Sequence, residues 1–181
     1  MPQETLGYYG LIELSDRDGY IGGLLVIDST GKPLEFRVTH PIRPTVVQRG
    51  LYGSSLLSHL NEELCGLPLY NALKNKPDII LVQSVNQLSI GDKIDSQVVH
   101  IMSAKKSIKM FDSMENRYEM SASNNRFESV ILTFPEPTDE DEQSTVIQHL
   151  NHFFKWVALL EPFDRITTAI NALGEHDQRF R

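Results

Sequence analysis

Residues 20–53 read YIGGLLVIDSTGKPLEFRVTHPIRPTVVQRGLYG, and this stretch decides the fold. Leu24-Leu25-Val26-Ile27 is apolar at every position, the pattern of a strand covered on both faces. Gly22 and Gly23 have no side chains to pack, which marks a bulge or a close approach by another backbone. Ser29-Thr30-Gly31-Lys32 supplies turn chemistry. Beyond it Leu34, Phe36, Val38 and His40 alternate with Glu35, Arg37 and Thr39. A period of two is that of a half-exposed strand with one polar face outward. Pro41 and Pro44 then frame a bend that delivers the chain to a helix.

Working outward, residues 7–14 form a first strand, with turn residues at 15–19. From Val46 to Lys76 the pattern is helical, with Leu56, Leu60, Leu64 and Leu67 on one face. Gly50 and Gly53 weaken its start, Ser54 or Ser55 can cap it, and Gly66 with Pro68 should end one helix and open a shorter one. Residues 79–82 and 98–102 read as short buried strands joined by an irregular or briefly helical link. Residues 117–122 and 127–134 form a hairpin turning at Ser123–Arg126. Val146, Leu150, Phe153, Val157 and Leu160 repeat at helical spacing, Pro162 interrupts, and Phe163, Ile166, Ile170 and Leu173 make a second helix ending at Gly174.

The expected fold is α/β, with N-terminal antiparallel hairpins merging into a mixed, partly parallel sheet, followed by a C-terminal helical pair. Residues 1–134 form the mixed domain; residues 135–181 supply an acidic linker and the helical pair, packed on the same domain.

With 181 residues, 40% hydrophobic and 23% charged, the chain buries about 70% of its unfolded surface and sustains a core without staples. Its single cysteine, Cys65, makes no internal disulfide and fits a reducing compartment, here read as the cytoplasm. No apolar run approaches the roughly 20 residues of a membrane span. The formal charge of -7 argues against general nucleic-acid binding. Much of it is local: Glu136, Asp139, Glu140, Asp141 and Glu142 crowd one segment, where acids favour a helix start. Lys105, Lys106 and Lys109 make a small basic segment, read as a solvated loop.

Catalytic motifs are scarce. No glycine-rich run has P-loop or dinucleotide spacing, and Gly53-Ser54-Ser55 lacks the glycines of a nucleophile elbow. Pro77-Asp78 precedes an apolar strand as in the opening half of a restriction-type nuclease site, but no acid stands two residues before a lysine, so a metal nuclease ranks last. His149 with His152, and His59 with Glu62 or Glu63, share helical faces without the further ligands a metal needs. No cofactor is expected.

The strongest cluster is Glu35, Arg37, Thr39, His40, Arg43, Arg49 and Tyr52, which could hold an anionic ligand or a protein carboxylate. Phe153, Trp156, Val157 and Leu160 are candidates for an interface, although the same stripe would also serve as core.

Gly31, Pro33, Glu35, Phe36, Thr39, Pro41, Pro44, Leu51, Tyr52 and Gly53, within residues 20–83, resemble a motif shared by a group of bacterial proteins with no assigned activity. The resemblance implies bacterial origin and no catalytic residue. The sequence thus favours a non-catalytic subunit or adaptor of a bacterial assembly, in phage defence or regulation, with a protein partner or a second copy at the two clusters. The alternative is a small enzyme or ligand sensor with an arginine-lined anion pocket.

Overall fold

Strand Gly19–Asp28 is buried at every position because it lies inside the sheet with helices on both sides. The computed structural model describes residues 4–14, 19–107, 116–122 and 126–180. Among them the strands are β1 (Thr5–Leu14), β2 (Gly19–Asp28), β3 (Pro33–Val38), β4 (Ile79–Val82), β5 (Gln97–Ser103), β6 (Arg117–Met120) and β7 (Val130–Thr133). They form one seven-stranded sheet in the order β3-β2-β1-β4-β5-β7-β6. β1, β4 and β5 are parallel, and the flanking pairs are antiparallel, which bears out the mixed sheet with hairpins at both margins.

The helices are α1 (Val46–Tyr52), α2 (Leu56–His59), α3 (Leu67–Ala72), α4 (Ala104–Ser107), α5 (Glu140–Phe154) and α6 (Glu161–His176). A 3-10 turn at Gly53–Ser55 joins α1 to α2, and a π-helical segment at Leu60–Gly66 joins α2 to α3. Cys65, Leu69, Tyr70 and Leu73 cover one sheet face over Tyr9, Leu24, Val26 and Val82. α5 and α6 cover the other, with Leu150, Phe153, Phe163 and Ile166 over Leu6, Tyr8, Leu25 and Leu81.

The glycine pair is where both helical layers touch the sheet. A Cβ on Gly22 would lie 2.7 Å from the Cβ of Cys65, and one on Gly23 would lie 2.7 Å from Cγ2 of Ile166. The expected close approach is real, but it comes from side chains on opposite faces rather than from another backbone. The sheet irregularity falls later, at Val26/Ile27.

Four helix boundaries differ from the sequence pattern. The chain stays helical through Gly66 and Pro68, the proline falling in the first turn of α3, where its fixed φ suits a helix. Ser55 caps nothing; its hydroxyl donates to the Tyr52 carbonyl, and the cap of α1 is Thr45, in a reciprocal capping box with Gln48. α5 stops at Phe154, so Val157 and Leu160 pack from the connection to α6, which itself runs past Gly174. Asp139 caps α5 with Glu140, Asp141 and Glu142 in its first turn, as the acidic run suggested. The turns at 15–18 and 123–125, and Lys109, lie outside the described residues. No helix among the described residues is long and apolar enough to cross a membrane.

The topology creates one opening. β1 leads to β2 on one side, while β4, beside it, leads to β5 on the other. β4 ends at Val82 opposite Tyr9, and β1 continues to Leu14 paired with β2 alone. Open α/β sheets bind ligands at such a switch point, outside the carboxyl ends of the strands.

Candidate functional site

Of the seven residues of the predicted cluster, Glu35 and Arg37 pair with each other and the rest find separate neighbours. Glu35 accepts hydrogen bonds from the backbone N–H groups of Lys74 (3.0 Å) and Asn75 (2.9 Å), and pairs with Arg37 at 2.6 Å. Burial alone would raise its pKa, but those N–H groups and Arg37 outweigh burial and hold the carboxyl below its ordinary value. Glu35 therefore ties the loop after α3 to the edge strand instead of facing solvent, while Arg37, its side chain 35% exposed, braces it from the solvent side. The Gly22 N–H donates to Thr39 Oγ1 at 3.0 Å, which extends the β2–β3 pairing. His40 stacks on Phe180, with ring centroids 5.3 Å apart, and Tyr52 stacks on His59 at 4.6 Å. Arg49 lies over the Tyr20 ring, 6.0 Å from its centroid. Arg43 is exposed, with its stem against Gly19.

Of the predicted interface, Phe153 and Val157 are buried in this chain's own core and Leu160 packs against it. The wide apolar stripe meets a sheet, which consumes it. Trp156 alone stays exposed, at 65%.

Two features escaped the sequence. The first is the exposure of α1, a helix the sequence did place, which has no buried residue. Val46, Val47 and Leu51 are 87%, 69% and 80% exposed, a concentration of bare aliphatic surface that calls for an explanation. The helix is held at its base by a two-way backbone bridge, Tyr20 to Ile42 and Ile42 to Tyr20, both 2.8 Å. Tyr20 pairs with Glu13 near the far end of β1, so the bridge anchors α1 at the carboxyl end of the sheet. The signal available beforehand was a pair of β-branched valines, poor helix formers, between two arginines.

The second is a cavity of about 120 Å³ at the β1–β4 switch point, lined by Gly10, Ile12, Gln83, Ser84, Gln87 and Thr167 among others. Ser84 and Gln87 of this lining belong to a neutral network that runs behind it. Gln87 Oε1 accepts from the Ser84 N–H at 3.1 Å, Gln87 Nε2 donates to Asn61 Oδ1 at 3.1 Å, and the Tyr9 hydroxyl donates to the Asn61 carbonyl at 3.2 Å. Burial drives the Tyr9 phenol far above its usual pKa, so it is a permanent donor.

Beside this network His100 is buried on β5, its Nδ1 3.2 Å from Thr133 Oγ1. Burial lowers its pKa, a hydrogen bond with the Gln83 backbone opposes the shift, and Arg117 lowers it further. The folded chain thus holds His100 neutral at a pH where the unfolded imidazole takes a proton. That contribution to stability is present above the ordinary value of 6.5 and is lost as pH falls through the folded pKa. Urea midpoints should decline from pH 7 to pH 5, and His100→Gln should flatten the decline.

No protein-family model and no curated protein sequence matches the chain. Solved structures do. Endonuclease V from Streptomyces avermitilis superposes with a TM-score of 0.64 at 13% identity, over 96% of this chain and 82% of that one. The fold is the one these endonucleases share. Endonuclease V from Bacillus subtilis gives a TM-score of 0.52 at 13% identity, over 95% of this chain and 84% of its own.

This likeness corrects the sequence reading on three points. The adaptor assignment and its small-ligand alternative both fall, since the chain's neighbours are nucleases. The description as a protein-interaction subunit falls with them. So does the exclusion of nucleic acid from net charge, which averages over an acidic run confined to the approach to α5 and its first turn, while α1 carries Arg49 and follows Arg43. Divalent ions that assist phosphodiester hydrolysis are held largely by carboxylates. The cavity's lining does not fit them: it contains no acid, and among the described residues no three His, Cys, Asp or Glu side chains are grouped to hold a metal.

Proposed function

We propose that this chain binds nucleic acid in a processing role, with α1, Arg43 and Arg49 as its contact surface. The observation that carries the reading is the bare helix at the carboxyl end of the sheet: Val46, Val47 and Leu51 exposed, with Arg43 before them and Arg49 among them. Guanidinium groups meet phosphates, and aliphatic side chains wedge against or between bases. The shared fold with two endonucleases supports the same reading. Cys65, buried under the sheet and without a disulfide partner, accords with a cytoplasmic location.

Fluorescence anisotropy with labelled single- and double-stranded DNA and RNA tests this. Binding should weaken with salt, and Arg43→Ala with Arg49→Ala should reduce the slope of log affinity against log salt by about 1 for each phosphate no longer neutralised. Leu51→Asp should weaken binding as well. No binding to any of these oligonucleotides at low salt would overturn the proposal.

A further inference from the structure

We infer that the chain holds nucleic acid without hydrolysing it through a carboxylate-bound metal ion at the β1–β4 switch point. The inference rests on the nucleic-acid reading above and concerns what happens after binding. Among the described residues, no element that lines the opening places a carboxylate in it. On β1, Tyr8 turns into the core, edge-on to Phe163 with centroids 5.1 Å apart, Tyr9 is committed to Asn61, and Gly10 has no side chain. β4 is apolar throughout, and the first polar residues beyond it are Gln83 and Ser84. α6 presents Phe163, Ile166 and Thr167.

Among the described residues, the acids on these and adjoining elements are engaged or exposed elsewhere. Glu13 accepts from the Tyr20 hydroxyl at 3.4 Å, Glu161 pairs with Arg165 at 2.6 Å, and Asp164 is exposed on α6. Glu62 and Glu63 both pair with Lys93. A hard divalent ion needs oxygen donors with negative charge to replace its water; two amides, a serine and a threonine do not supply it. Gln87 is moreover already bonded on both its amide oxygen and its amide nitrogen.

The test uses the same labelled DNA and RNA with magnesium, manganese or EDTA at matched ionic strength. Intact oligonucleotide, binding curves within about twofold of one another, and a melting temperature unmoved by millimolar manganese are the expected results. Metal-dependent cleavage that co-elutes with the protein on sizing overturns the inference while leaving the binding surface standing. So does a manganese-induced rise in melting temperature, which reports a site in the native state without requiring turnover. Absence of binding in every buffer overturns the nucleic-acid reading itself and this inference with it.

Discussion

Phe153→Ala should lower the free energy of unfolding by about 3–5 kcal/mol, the cost of removing a buried aromatic and leaving a partly collapsed cavity. Phe153 is fully buried in the α5–α6 layer, with His149 stacked on it at 5.2 Å and the His152 ring edge-on at 6.4 Å. A domain of this kind has about 5–15 kcal/mol in total, so the variant should unfold at far lower urea. Trp156, three residues on and 65% exposed, is the internal control: Trp156→Ala should change stability by no more than about 0.5 kcal/mol. Equal, small effects at both positions would mean that this stripe does not pack on the sheet as described.

Gly22→Val should cost about 3 kcal/mol or more, at or beyond the upper end of overpacking penalties. The first added carbon already lies 2.7 Å from Cys65 Cβ, and 3.2 Å from both Cys65 Sγ and Leu69 Cδ1. Cβ is fixed to its backbone, so the π-helical segment must move as a body. Gly50→Ala in α1 makes the contrast. Nothing lies within 4 Å of the added carbon, and relief of glycine's helix penalty should stabilise that helix by about 1 kcal/mol. Thermal denaturation of the two variants separates close approach from a general intolerance of change at glycine.

The elements that sequence disclosed are those whose cause is local. β2 announced itself by the unbroken apolar run Leu24–Ile27, β3 by alternation, and α5 by apolar residues at helical spacing behind an acidic first turn. What stayed hidden depends on partners far along the chain. Glu35 and Arg37 looked like an outward polar face because the N–H groups that engage Glu35 belong to residues 39 and 40 positions away. The switch point arises from pairing β1 with β4, which no periodicity encodes. The aliphatic residues of α1 have the same composition as a core-facing stripe, and only their exposure shows otherwise. The cavity was invisible for a related reason: its character lies in neutral residues, and searches for chemistry look for charged ones. Ser84 with Gln87 did carry a capping-box pattern in the sequence, which fixes the turn after β4.

The capping box of α1 has a consequence for how this chain opens. With none of its seven residues buried, α1 draws its order from the Thr45–Gln48 reciprocal bonds, the Ile42 bridge below it and the Arg49–Tyr20 contact, and very little from tertiary packing. A helix so short is marginal by itself, so its amide protons should exchange through local opening at a free energy far below that of global unfolding. The three most exposed large hydrophobic side chains among the described residues are therefore carried on a segment that can rearrange without disturbing the sheet.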